Sequence, residues 1–225
     1  MLFAILELYF FIMEKQKTIL ITAGPTRERI DAVRFITNHS SGKMGYALAE
    51  AAYKQGFRVI LISGVTNLPK VENVEFIQIE SAADMAREVK KYAPVADFII
   101  MAAAVADYRP KVVHTNKMKK TDGDLTLVLE RTEDILKYLG NNKQTGQILI
   151  GFAAETDDLI ANASGKLERK NLDYIIANDV SKSDRGFGSN ENAVTILARS
   201  GAREDISLAA KSEIADMIIQ KCCVE

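Results

Sequence analysis

The stretch Asn38-His39-Ser40-Ser41-Gly42-Lys43-Met44-Gly45 carries the residue types best suited to chemistry. An apolar, β-branched run over 17–22 precedes it and an alanine-rich helical run over 46–53 follows, so it reads as a long loop ending in a glycine turn that opens a helix. Unpaired N–H groups and partial positive charge at a helix start, with glycines that admit close approach, make it a candidate phosphate site. Spacing narrows the kind of site. In Ser40-x-Gly42-x-x-Gly45 a serine replaces the first glycine of the dinucleotide fingerprint, and the turn is too long. The second strand, 57–63, also ends in Ser63-Gly64 without an acid for a ribose. A Walker A loop fails because Met44 follows Gly42-Lys43 and Thr37 stands where its first glycine belongs. Glycines serving only helix–strand packing remain an open reading of Gly42 and Gly45.

Other candidates lie in loops or at strand ends. Asp107 closes the small-residue run Met101-Ala102-Ala103-Ala104-Val105-Ala106, where backbone is accessible and a carboxylate could accept from sugar hydroxyls or base amines. A loop aspartate that merely shapes a turn is equally consistent. Lys117, Lys119 and Lys120 could neutralise a polyphosphate, as could Lys166 and Lys170, one helical turn apart; solvated charge is the plainer alternative. Asn38 could donate to a developing oxyanion and Arg34 could hold a phosphate or carboxylate with both arms. No Ser or Cys nucleophile pairs visibly with His39 or His114, and no metal-ligand spacing is present, so a divalent ion would arrive on nucleotide phosphates.

The elements that must position these residues alternate. Strands are expected at 17–22, 57–63, 74–79, 96–101, 147–153 and 173–177, with helices at 46–53, 81–91 (Ser81 as N-cap), 132–139 and 158–171. The order predicts an α/β, Rossmann-like, mostly parallel sheet with helices on both faces and ligands at the carboxyl ends of the strands. An inserted flap is expected over 108–124, with no apolar period and a run of lysines. Beyond it, 125–130 reads as a strand, 186–190 as a glycine-rich turn, 193–197 as a strand and 207–221 as a closing amphipathic helix.

At 225 residues, 48% hydrophobic, 26% charged and a formal net charge of −1, the chain can bury one core and has no global charge suited to nucleic acid or an anionic membrane. Cys222 and Cys223, its two cysteines, form no disulfide framework, which fits a reducing cytoplasm. Residues 1–13 are mostly apolar but too few to span a bilayer, and Met13 could itself start a chain. Residues 1–16 are therefore expected to be an extension outside the fold, and 17–225 the domain.

The segments ITAGPTRERIDAVRFITNHSSGKMG, AAAVADYRP, KMKK, GFAAET and KNLDYIIANDV, in that order, resemble phosphopantothenoylcysteine synthetase from about Lys17 onward. The resemblance implies a ligase of coenzyme A biosynthesis that joins 4′-phosphopantothenate to L-cysteine through an acyl-cytidylate made from CTP with Mg2+. It implies Lys117 in forming that intermediate, Asn38 in turning it over and Arg34 in the second half-reaction. Nucleotide contacts are implied for Met101, Ala102, Ala103, Asp107, Phe152, Lys166 and Lys170, and for the turn Thr132-Glu133-Asp134-Ile135. Bacterial relatives usually read Asn-Pro-Asp-Ile in that turn, so its backbone shape is a point of departure. KMKK and NHSSGKMG favour CTP over ATP. A homodimer is implied, as is contact with a separate flavin-dependent decarboxylase, which in bacteria is commonly fused. Competing readings are an NAD(P)-dependent reductase, disfavoured by the missing ribose acid and Tyr-x-x-x-Lys pair, and a non-catalytic nucleotide sensor.

Overall fold

The computed structural model describes residues 16–120, 122–155, 158–179 and 188–224. The expected extension, up to residue 15, and the start of the glycine-rich turn at Gly186 lie outside the described residues. In chain order the elements are β1 (Thr18–Ala23), β2 (Arg27–Arg29), β3 (Phe35–Thr37), α1 (Lys43–Lys54), β4 (Arg58–Ser63), β5 (Glu75–Gln78), α2 (Ala82–Tyr92), β6 (Phe98–Met101), β7 (Tyr108–Pro110) and β8 (Leu129–Arg131). They continue with α3 (Ile135–Asn141), β9 (Ile148–Glu155), α4 (Leu159–Arg169), β10 (Tyr174–Asp179), β11 (Glu191–Ala198), β12 (Arg203–Ala210) and α5 (Lys211–Ile219).

Among the described residues, eight strands form one sheet in the order β12-β11-β10-β9-β6-β1-β4-β5. The six from β10 to β5 run parallel, while β11 and β12 are antiparallel additions at one edge. β1 is buried from end to end, as an apolar run without alternation requires of a strand covered on both faces. Its odd positions Ile19 and Ile21 share a core with Leu48, Ala49 and Ala52 of α1 and with Ile214 and Ile218 of α5. Leu20, Ile60 and Ile99 turn to the other face, against Met85 and Val89 of α2, Leu139 of α3, and Ala163 and Leu167 of α4. The period of two thus divides the apolar residues between two cores, one for each helical layer. At the start of α2, Ser81 Oγ accepts from the Asp84 N–H and Asp84 Oδ2 from the Ser81 N–H, both at 3.1 Å, so the expected cap is a reciprocal capping box.

Three expectations need correction. The expected helix over 207–221 begins only at Lys211, because 203–210 forms β12. Ser200-Gly201 makes the tight hairpin turn, with Gly201 at φ 89°, and pairing with β11 outweighs the helical apolar spacing. The strand expected over 125–130 is confined to Leu129–Arg131, paired with β7. The long connection before the glycine turn contains the β2–β3 hairpin.

Candidate active-site cleft

Strand order reverses between β1 and β6, since the chain leaves β1 outward to β4 and β5 and returns on β1's other side. Such a switch point opens a crevice at the carboxyl ends of the strands. The two loops leaving those ends are laced together. Ala104 N–H donates to Gly24 O (2.9 Å) and Thr26 N–H to Ala104 O (3.2 Å), while Ala103 N–H and Ala106 N–H donate to the hydroxyls of Thr22 (3.2 Å) and Thr26 (3.0 Å). The small residues 102–105 are thereby fixed as a rigid rim. Asn38 is tied to the same rim, its Nδ2 donating to Ala104 O at 3.1 Å.

Each glycine of the turn has its own reason. Gly42 precedes α1 at φ 82°, a left-handed conformation that L side chains strain to adopt. Gly45 lies inside α1, where an added Cβ would sit 2.5 Å from the Ala23 Cβ. The packing reading therefore holds for Gly45, and that close approach sets the start of α1 against the end of β1.

The cleft has two lobes. The larger, about 420 Å³, is lined by Asn38, Ser40, Ser41, Gly42, Lys43, Met44, Gly45, Ala102, Ala103, Ala104, Val105, Asp107, Phe152, Ala153, Ala154, Lys166, Asn178, Asn192 and Lys211. The smaller, about 190 Å³, is lined by Met101, Ala103, Val105, Asp107, Thr132, Glu133, Asp134, Ile135, Leu136, Phe152, Lys166 and Lys170. Ala103, Val105, Asp107, Phe152 and Lys166 belong to both, at the join. Lys166 reaches Phe152 O at 2.9 Å, which holds its ammonium beside the end of β9. Lys170 pairs with Asp134, and burial lowers the Lys170 ammonium from its ordinary pKa while the Asp107 charge acts the other way. Asp134 also caps α3 by accepting from Lys137 N–H at 2.9 Å. The turn that departs from the bacterial pattern is well held: Thr132 Oγ1 donates to Ala106 O (2.6 Å), its N–H to Asp107 O (2.9 Å), and Glu133 pairs with Lys90.

Arg34 and Lys117 do not line either lobe. Arg34 pairs with Asp31 through Nε (3.0 Å) and Nη2 (2.5 Å), and Asp31 also accepts the N–H groups of Val33, Arg34 and Met118. Those bonds, the Arg34 side chain foremost, hold the Asp31 carboxyl well below the usual carboxylate range. Asp31 thus fastens the flap to the β2–β3 hairpin and leaves Lys117, next to Met118, exposed. Sequence reasoning missed Asp31, and also Lys211 and Asn192. Lys211 was obscured by the helix expected over 207–221, which placed it in a helix interior. The hairpin signal at Ser200-Gly201 would have moved it to a helix start at the cleft edge.

Fold and site together define a doubly wound α/β domain with a two-lobed cleft at its switch point. The chain belongs to the DNA/pantothenate metabolism flavoprotein C-terminal domain family, which matches residues 14–224. It is 52% identical over 206 residues to the coenzyme A biosynthesis bifunctional protein CoaBC of Bacillus subtilis (strain 168), covering 91% of this chain and 50% of that protein. With the protein of the same name from Vibrio vulnificus (strain YJ016) it shares 44% identity over 209 residues, 92% of this chain and 52% of that one. The chain therefore spans about half the length of the curated relatives it matches. The crystal structure of the C-terminal domain of a CoaBC protein superposes with TM-score 0.78 at 47% identity, covering 91% of this chain and 93% of that one. A Cab2 mutant in complex with phosphopantothenate-cysteine shares the fold, with TM-score 0.75 at 19% identity over 97% of this chain and 88% of that one. Among the described residues no helix is long and apolar enough to cross a membrane.

Proposed function

We propose that the chain is a phosphopantothenate–cysteine ligase working in the cytoplasm as a homodimer, alongside a flavin-dependent decarboxylase, with CTP as the activating nucleotide. The supporting observation is convergence: apart from Arg34 and the flap lysines Lys117, Lys119 and Lys120, the candidate residues selected from the sequence line one two-lobed cleft at the switch point. Membership in a pantothenate-metabolism family supplies the substrate class.

In this reading the smaller lobe takes the base and ribose, beside Asp107 and the Thr132–Ile135 turn, and the nucleotide phosphates run toward the α1 turn. The 4′-phosphopantothenate carboxylate attacks the α-phosphorus, pyrophosphate leaves, and cysteine's amine then displaces CMP from the acyl-cytidylate. The protein's task is to bring anions together in line and to screen their charge. In this reading Lys166, at the join of the lobes, supplies part of that screening, and the Asn38 amide, held by the rim at Ala104, acts on the acyl group. Lys117 would act by closure of the flap, and Arg34 from the hairpin to which the flap is fastened. Mg2+ would be carried on the nucleotide phosphates.

Pyrophosphate release with CTP, Mg2+ and 4′-phosphopantothenate, with and without cysteine and with ATP in parallel, tests the reading. Cysteine-stimulated release with CTP is the expected result. Release with ATP alone would overturn the choice of nucleotide, and no release with either would overturn the ligase.

A further inference from the structure

Thr26 has no exposed surface, although it lies in the short loop between β1 and β2 and carries a hydroxyl. A polar residue so placed must find its partners inside the protein, and Thr26 does so with its N–H, its carbonyl and its hydroxyl. The N–H, the first main-chain donor after Pro25, which has none, donates to Ala104 O at 3.2 Å. Thr26 Oγ1 accepts from the Ala106 N–H at 3.0 Å, and the Thr26 carbonyl accepts from Thr37 Oγ1 at 2.8 Å. The branched Cβ restricts the rotamer, so the direction of the hydroxyl is held as well.

Ala106 and Thr37 directly precede Asp107 and Asn38 in the chain. On one branch the Ala106 carbonyl accepts from Thr132 Oγ1 at 2.6 Å, which ties in the turn of the smaller lobe. On the other, Asn38 Nδ2 returns to Ala104 O, the carbonyl that the Thr26 N–H already holds. Asp107 at the join of the lobes and Asn38 in the larger lobe are thus each one residue and one hydrogen bond away from Thr26. We propose that Thr26 is a positioning residue for the ligation: it sets the spacing between Asp107, on the nucleotide side, and Asn38, on the acyl side, and so the alignment of the bound substrates. The inference rests on the ligase reading for what is aligned. Each lobe keeps its own lining when the spacer is broken, so each substrate still binds. What is lost is their mutual alignment, and a misplacement of about 1 Å costs on the order of 100-fold in rate.

The test is steady-state kinetics with CTP, 4′-phosphopantothenate and cysteine, per mole of folded protein and well below the melting temperature. The full chain is compared with Thr26→Val, which keeps the shape of the side chain and removes the acceptor of the Ala106 N–H. A fall in kcat of roughly 10- to 100-fold is expected, with KM for each substrate within about twofold of wild type. Thr26→Ser restores the hydroxyl and should recover most of the loss. Thr37→Val breaks the other branch at an exposed residue and should lower kcat in the same way. The double variant should lose no more than the worse single one, because a spacing already broken at one end has nothing further to lose at the other. Wild-type kcat in Thr26→Val, a loss carried by KM alone, or losses that multiply in the double variant each overturn the proposal. If Thr26→Val fails to fold, Thr37→Val and Thr37→Ser carry the test, with the same loss and recovery expected and an unchanged kcat overturning it. Hydrogen exchange at the Ala106 amide reads the spacer apart from the reaction: its protection should fall in Thr26→Val and return in Thr26→Ser, and unchanged protection removes the bond on which the proposal stands. A wild type that releases no pyrophosphate from CTP or ATP overturns the ligase reading and this inference together, whereas a wild type that turns over beside an unaffected Thr26→Val overturns this inference alone.

Discussion

Gly45→Ala is the sharpest perturbation of the cleft. The new methyl would lie 2.5 Å from the Ala23 Cβ and 3.0 Å from both the Ala23 Cα and the Thr22 carbonyl oxygen, where ordinary contact begins at 3.4 Å. Two of those neighbours are backbone of a strand buried in the middle of the sheet, so α1 must give way, by about 1 Å, enough to forfeit a quarter to a half of each contact's dispersion energy. Overpacking of this kind costs about 1–3 kcal/mol. The better helix propensity of alanine offsets up to about 1 kcal/mol. The expected net loss is about 1–2 kcal/mol, which for a chain of this size lowers the melting temperature by about 2–8 °C. The same retreat carries Ser40 to Lys43 away from the rim at Ala102 to Val105, so under the ligase reading affinity for pyrophosphate or CTP should fall with stability. Thermal unfolding and calorimetric binding measure the two together. A variant that melts at or above the wild-type temperature would refute the argument, because helix propensity would then have prevailed over a contact too loose to matter.

Gly165→Ala in α4 is the counterpart, since the nearest atoms to its added Cβ belong to the mobile guanidinium of Arg169; a gain of about 0.5–1 kcal/mol in urea unfolding is expected. Asp134→Ala removes the α3 cap and the partner of Lys170, so about 1 kcal/mol of stability should be lost, and under the ligase reading nucleotide affinity should change while 4′-phosphopantothenate affinity stays. Asp31 is deprotonated more readily folded than unfolded, so its contribution is complete above about pH 4 and declines as pH falls below that. The Met118 amide, which donates to Asp31, should accordingly lose hydrogen-exchange protection as pH falls below 4 in the wild type, and be more weakly protected at every pH in Asp31→Asn. Under the ligase reading, Asn38→Asp should release pyrophosphate in a single burst that cysteine does not extend; full cysteine-stimulated turnover would remove Asn38 from the second step.

The central strands were legible because burial on both faces leaves unbroken β-branched runs, as in TILITA and RVILIS, which no amphipathic helix of that length would show. From their alternation with helices the switch point followed, and with it the convergence of Asp107, Lys166 and the glycine turn. What escaped depends on pairing between distant segments. β12 has exposed Arg203, Glu204 and Asp205, charges that blunt a sheet edge, and its strand character comes from β11 rather than from its own pattern. The β2–β3 hairpin is likewise held by Asp31 and by the flap, contacts that local propensity does not contain. Misplacing one element boundary was enough to hide Lys211.

The larger lobe draws its walls from Asn38 to Gly45 near one end of the sequence and from Lys211 near the other. During synthesis on a ribosome, the glycine turn and the rim are complete long before α5 has left the exit tunnel. A nascent chain can assemble most of the parallel sheet in that interval, yet its cleft stays open on one side. Ligand capture is thereby coupled to the docking of α5 against α1, so this lobe is walled only once two segments far apart in the sequence have packed together.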